Sequence, residues 1–110
     1  MSKKNEFSVV ILTETQGYVH HAAIKEGVKL ITRLGKENNF NVTHTNSSEY
    51  LSNKVLKKSD VLIFLCTTLD VLNEKEEERM KKFIQNGKGY VGIHSATDTE
   101  YSWGWYGKLV

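Results

Sequence analysis

Proline is absent from this sequence, cysteine occurs once, and no apolar run is long. Each absence excludes something. With no proline, no internal repeat and no low-complexity tract, nothing marks a linker or a boundary, and residues 1–110 read as one domain. The lone Cys66 cannot form an internal disulfide, which agrees with a reducing compartment and takes the meaning from the sequons at Asn41 and Asn46. No stretch approaches the roughly 20 apolar residues of a membrane-spanning helix. The opening MSKKNEFSVVIL has neither the apolar core of roughly 7–15 residues nor the cleavage site of a signal peptide. A cytoplasmic protein with no membrane partner is expected. Charge of one sign is scarce too: 15 Lys and Arg against 13 Asp and Glu leave +2, with no basic stripe to meet a phosphate backbone, so no nucleic-acid partner is expected. HExxH and paired-cysteine motifs are missing, and no metal is expected.

What is present is ordinary globular material, 39% hydrophobic and 25% charged, enough for one core of three or four strands with covering helices. Apolar runs alternate with helical periodicity three times, the pattern of strand-crossover-strand units in a parallel sheet, and the class is α/β. Residues 7–12 (FSVVIL) and 61–66 (VLIFLC) read as neighbouring central strands covered on both faces. Residues 40–45 (FNVTHT) alternate, with Phe40, Val42 and His44 on one side, as suits an outer strand. Residues 90–93 make a fourth strand. Between the first two strands, Ile24, Val28, Ile31 and Leu34 form one apolar helix face that Asn38 or Asn39 can end. A shorter helix is expected near residues 48–57, with Tyr50, Leu51, Val55 and Leu56 inward. A third begins at Asn73, with Glu76 answering in a capping box and Met80, Phe83 and Ile84 inward, and Gly87 ends it.

In an open parallel sheet, ligands bind outside the carboxyl ends of the strands. The polar segments there are residues 13–21 (TETQGYVHH), 67–72 (TTLDVL) and 94–101 (HSATDTEY), which should converge on one crevice. Thr67, Thr68 and Asp70 of the second segment are candidate substrate contacts. GKGYVG, residues 87–92, has the spacing of a dinucleotide loop but ends a helix and enters a strand, the reverse of the order that loop needs, so no NAD is implied and the cofactor is unknown. GIHSA, residues 92–96, fits a tight strand-to-helix turn that exposes His94, where related architectures place a Ser or Cys nucleophile. Histidine suits proton transfer there, although it can equally cap backbone groups. Asp98 can orient His94 or cap the next helix. His20 and His21 start a helix, where a surface role is the default, and His44 and Cys66 read as strand residues. Trp103, Trp105 and Tyr106 can stack on a sugar ring or anchor a core.

The segments GYVHHAAIKEGV, LGKENNFNVTHT and TTLDVLNEKEEERMKKFIQNGKGYVGIHSATDTEYSWGWYGKLV, in this order, resemble the ThuA-like family, named for trehalose utilisation. VGIHSATDTEY followed by WYGKLV is the most specific portion. The resemblance implies a flavodoxin-like, three-layer sheet akin to the class I glutamine amidotransferases, with His94 at their nucleophile position. It also implies a role in disaccharide or keto-sugar metabolism, with a small carbohydrate as partner. His94, Thr97 and Asp98 carry over directly. The first-loop histidine is His21 by its spacing to Ile24 and Gly27, or His20 by its distance from Gly17. Family domains run to about twice this length, so the chain is expected to be the first portion of the domain, truncated to about four strands in a 2-1-3-4 order. Its fourth strand would then be an open edge through which copies can associate. A fragment of this kind is expected to have no turnover alone.

Overall fold

A computed structural model describes residues 7–14, 21–65, 67, 72–93, 99 and 104–109. Strand β1 (Phe7–Leu12) is followed by helix α1 (His21–Asn38), strand β2 (Phe40–Thr45) and helix α2 (Asn53–Lys58). Strand β3 (Val61–Leu65), helix α3 (Glu74–Gln85), strand β4 (Gly89–Ile93) and helix α4 (Gly104–Leu109) complete the order. The four strands form one all-parallel sheet in the order β2-β1-β3-β4, as the alternating pattern requires. Among the described residues no helix is long and apolar enough to cross a membrane.

The strand side chains alternate between two cores. Val10 and Leu12 of β1 and Leu62 and Phe64 of β3 pack under α2, α3 and α4 with Leu56, Met80, Phe83 and Tyr106. Val9 and Ile11 of β1 and Ile63 and Leu65 of β3 pack with Ile31 of α1. β1 and β3 are therefore apolar on both faces, which is why their sequences run apolar without alternation. Full burial of each such side chain contributes about 1.5–3 kcal/mol.

Two glycines set how closely α1 lies on the sheet. A Cβ at Gly27 would meet Leu65 Cδ2 at 2.9 Å, and one at Gly35 would meet the Phe40 carbonyl oxygen and Val42 Cγ2, both at 2.8 Å. α1 ends at Asn39, whose φ of 60° is the left-handed conformation that asparagine tolerates. α3 starts with the full capping box, Asn73 Oδ1 accepting from Glu76 N at 2.8 Å and Glu76 Oε1 accepting from Asn73 N at 2.9 Å. Asp60 laces the amino ends of three strands. Its Oδ2 accepts from Ser8 N at 2.8 Å, its amide donates to Ser8 O, and its carbonyl accepts from Gly89 N at 2.9 Å.

The structure departs from the sequence pattern at three places. The expected helix over residues 48–57 is a 3-10 turn, Ser48–Tyr50, and then α2, capped by the Ser52 hydroxyl accepting from Val55 N. The break rotates Tyr50 outward, 48% exposed, while Leu51 and Leu56 stay buried. Leu34, expected inward, lies on the flank of α1 and is 38% exposed. Strand β4 starts one residue earlier than the expected residues 90–93, at Gly89 opposite Val61, once Gly87, at φ 90°, has closed the preceding helix as expected.

β4 is an edge of the sheet. Val91 and Ile93 lie opposite Ile63 and Leu65, on the face that α1 covers further along, but α1 does not reach them and they remain 43% and 36% exposed.

Candidate functional site

Because all four strands are parallel, their carboxyl ends share one edge, the side on which such sheets bind ligands. Thr13, directly after β1, is buried. Its amide donates to Thr45 O at 3.0 Å, and its hydroxyl shares a 2.9 Å hydrogen bond with His44 Nε2, with the donor set by the imidazole tautomer. Glu14 Oε1 accepts from Ser48 N at 2.6 Å, a charge-assisted bond that ties the segment after β1 to the turn after β2.

Above these bonds opens a cleft of about 400 Å³ lined by Thr13, Glu14, His21, Ile24, His44 and Asn46. His21 is the first residue of α1 and is exposed. His44 is mostly exposed too, and the partial burial of its ring lowers its pKa, favouring the neutral imidazole, which can donate at one nitrogen and accept at the other. Two imidazoles, a carboxylate, an amide and the Lys25 ammonium around this cleft offer donors and acceptors to a hydroxyl-rich ligand. Among the described residues, no group of three or more His, Cys, Asp or Glu is placed to hold a metal ion.

A second tie joins the segments after β3 and β4. Thr67 is fully buried, and its hydroxyl is 2.9 Å from that of Thr99, itself 2% exposed. α4 follows, and Tyr106 is driven into the core against Phe64, ring centroids 5.7 Å apart. The Tyr106 hydroxyl is 2.6 Å from that of Tyr90. Burial pushes the Tyr90 hydroxyl up to about 12, with the bond to Tyr106 acting the other way.

Of the residues singled out in the sequence, His21 lines the cleft, Thr67 is a buried tie between segments, and Trp105 is half-buried on α4. His20, Thr68, Asp70, His94, Thr97, Asp98 and Trp103 lie outside the described residues, as does Cys66. Glu14 carries no individual signal in the segment 13–21, and by sequence His44 is a plain strand residue. The available signal was position: His44 is the penultimate residue of a parallel strand, and the segment after that strand belongs to the same edge.

The model of one protein family, described as ThuA, trehalose utilisation, matches residues 8–110. The chain belongs to the ThuA family. Among solved structures, a ThuA-like protein from Bacteroides uniformis superimposes with a TM-score of 0.79 at 21% sequence identity, a likeness in fold. The superposition covers 98% of this chain and 44% of that protein, so the chain spans less than half the length of this structural relative. No curated protein matches the sequence. The α/β class and the family expected from GIHSATDT and its neighbours both hold.

Proposed function

We propose that this chain is the first portion of a ThuA-family domain acting in disaccharide or keto-sugar metabolism, with His94 as general acid and base. Asp98 orients His94, and His21 approaches from the first segment. What supports the reading is the parallel sheet. β4 ends at Ile93, one residue before His94, at the same edge where the cleft with His21 and His44 opens. Thr68 and Asp70 follow β3 in the chain, Thr97 follows β4, and these three are the proposed sugar contacts, while Thr67 is a buried tie. The test is His94→Ala in a longer ThuA-family protein. Loss of disaccharide turnover with unchanged melting supports the role, and retained turnover overturns it. The 110-residue chain alone is expected to convert no disaccharide, and measurable conversion would refute its being an incomplete site.

A non-catalytic reading rests on Trp103 and Trp105, which precede the buried Tyr106. If they stack on a sugar, trehalose quenches tryptophan fluorescence; a flat titration removes this reading. The exposed Val91 and Ile93 on the edge strand favour association of two copies through β4. A dimer in sedimentation that Val91→Lys dissolves is the expected result, and a monomer at all concentrations refutes it.

A further inference from the structure

At the opposite end of the sheet, where α2 and α3 run out toward the amino ends of β3 and β4, lies a groove of about 410 Å³. Its apolar floor is Leu56 and Phe83, both buried in the core beneath. Its walls carry Lys57 from α2, Arg79 and Lys82 from α3, and Lys88 from the connection into β4, and no acidic residue lines it. Lys88 is held in place, its Nζ donating to Ser59 O at 3.0 Å and lying 3.5 Å from Asp60 Oδ1. Among the described residues, no ion pair within 4 Å reaches Lys57, Arg79 or Lys82. Glu74 and Glu78 of α3 line a neighbouring shelf with Arg79 and Lys82, with no ion pair within 4 Å between them.

Lysines in the last turns of α2 and α3 suit the helix dipoles, and that accounts for Lys57 and Lys82 taken singly. It does not account for Arg79, which sits in the middle of α3, is half-buried, and stands three residues from Lys82, where like charges oppose each other. Three unpaired cations over an apolar floor fit a ligand with a doubly charged head and a small ring-sized body. The guanidinium fork matches the oxygens of a phosphate, and the lysines add charge without fixed geometry. We propose that this groove binds the phosphate monoester of a ring-sized metabolite, the phosphate between Arg79, Lys82 and Lys57 and the ring over Leu56 and Phe83. The site is separate from the carboxyl-end cleft, and the proposal does not depend on what happens there.

The experiment is calorimetric titration of the 110-residue chain with glucose 6-phosphate, glucose and inorganic phosphate. Saturable binding of the phosphate ester at one site is expected, with weaker binding of inorganic phosphate and none of glucose. Arg79→Gln and Lys82→Gln should each lower the affinity about tenfold, the scale of one lost charge-assisted contact. Lys36→Gln, at the exposed end of α1, should leave it unchanged. Amide resonances of Leu56 and Phe83 should shift with the ligand in the unsubstituted chain. The proposal is overturned by absent binding at millimolar ligand, by glucose binding as well as its phosphate, or by an affinity insensitive to Arg79→Gln. An equal loss in Lys36→Gln, which would mark nonspecific charge attraction, overturns it too.

Discussion

Thr67 distinguishes a residue that touches substrate from one that holds the site together, and the geometry favours the second. Its side chain is fully buried, and its hydroxyl lies 2.9 Å from Thr99, also buried, 32 residues later. Thr67→Val keeps the shape and removes the hydroxyl. A neutral buried hydrogen bond contributes about 0.5–1.5 kcal/mol net, and leaving its partner hydroxyl short of a bond costs about 1–3 kcal/mol. Thr99 makes a further interaction of its own, so the lower part of that range applies, about 1–2 kcal/mol. For a domain of this size each kcal/mol lowers the melting temperature by about 4–8 °C. Thr67→Ser, which keeps the hydroxyl, should recover most of the loss. The decisive assay is a double-mutant cycle in urea with Thr67→Val, Thr99→Val and the pair, in which a coupling of about 1 kcal/mol is expected. Additive effects would refute the tie, and an unchanged stability with weakened sugar binding would return Thr67 to the substrate contacts.

The two glycines of α1 should respond differently to alanine. At Gly35 the new Cβ meets a backbone oxygen at 2.8 Å, so overpacking of about 1–3 kcal/mol outweighs the roughly 1 kcal/mol gain in helix propensity; at Gly27 it meets only the ends of Leu65, and thermal melting should show little change. A Gly35→Ala variant at least as stable as the parent would contradict the close approach. Tyr90 makes stability fall in alkali. Its pKa is raised from 10.0 in the unfolded chain to about 12 when folded, so its contribution is fully present below pH 10 and is lost as pH rises through 12. At about 1.4 kcal/mol per pH unit the loss is at most about 3 kcal/mol, and denaturation of Tyr90→Phe should lack that component. For His44 the sign is opposite. Its folded pKa is lowered, so the unfolded chain takes up the proton first and stability declines on acidification below its ordinary value of 6.5, weakly because most of the ring stays in water.

Local patterns determined most of the fold. The apolar runs at residues 7–12 and 61–66 pointed to central strands, because a strand buried on both faces has few polar positions to alternate. Asn73 and Glu76 announced the start of α3, since a capping box is a contact between residues three apart. The motif around GIHSATDT carried the family, and the alternation of strands and helices carried the shared edge of the strand ends. What depends on distant residues was not legible. Tyr50 and Leu34 face outward because a two-residue break and the seating of α1 on two glycines decide rotation, and neither leaves a periodic signal. His44 joins His21 only because parallel pairing brings the ends of β1 and β2 side by side. A sequence with a net charge of +2 and no basic stripe still gathers Lys57, Arg79, Lys82 and Lys88 along one groove. Those residues come from three separate segments, and only the packing of α2 and α3 over the sheet makes them neighbours.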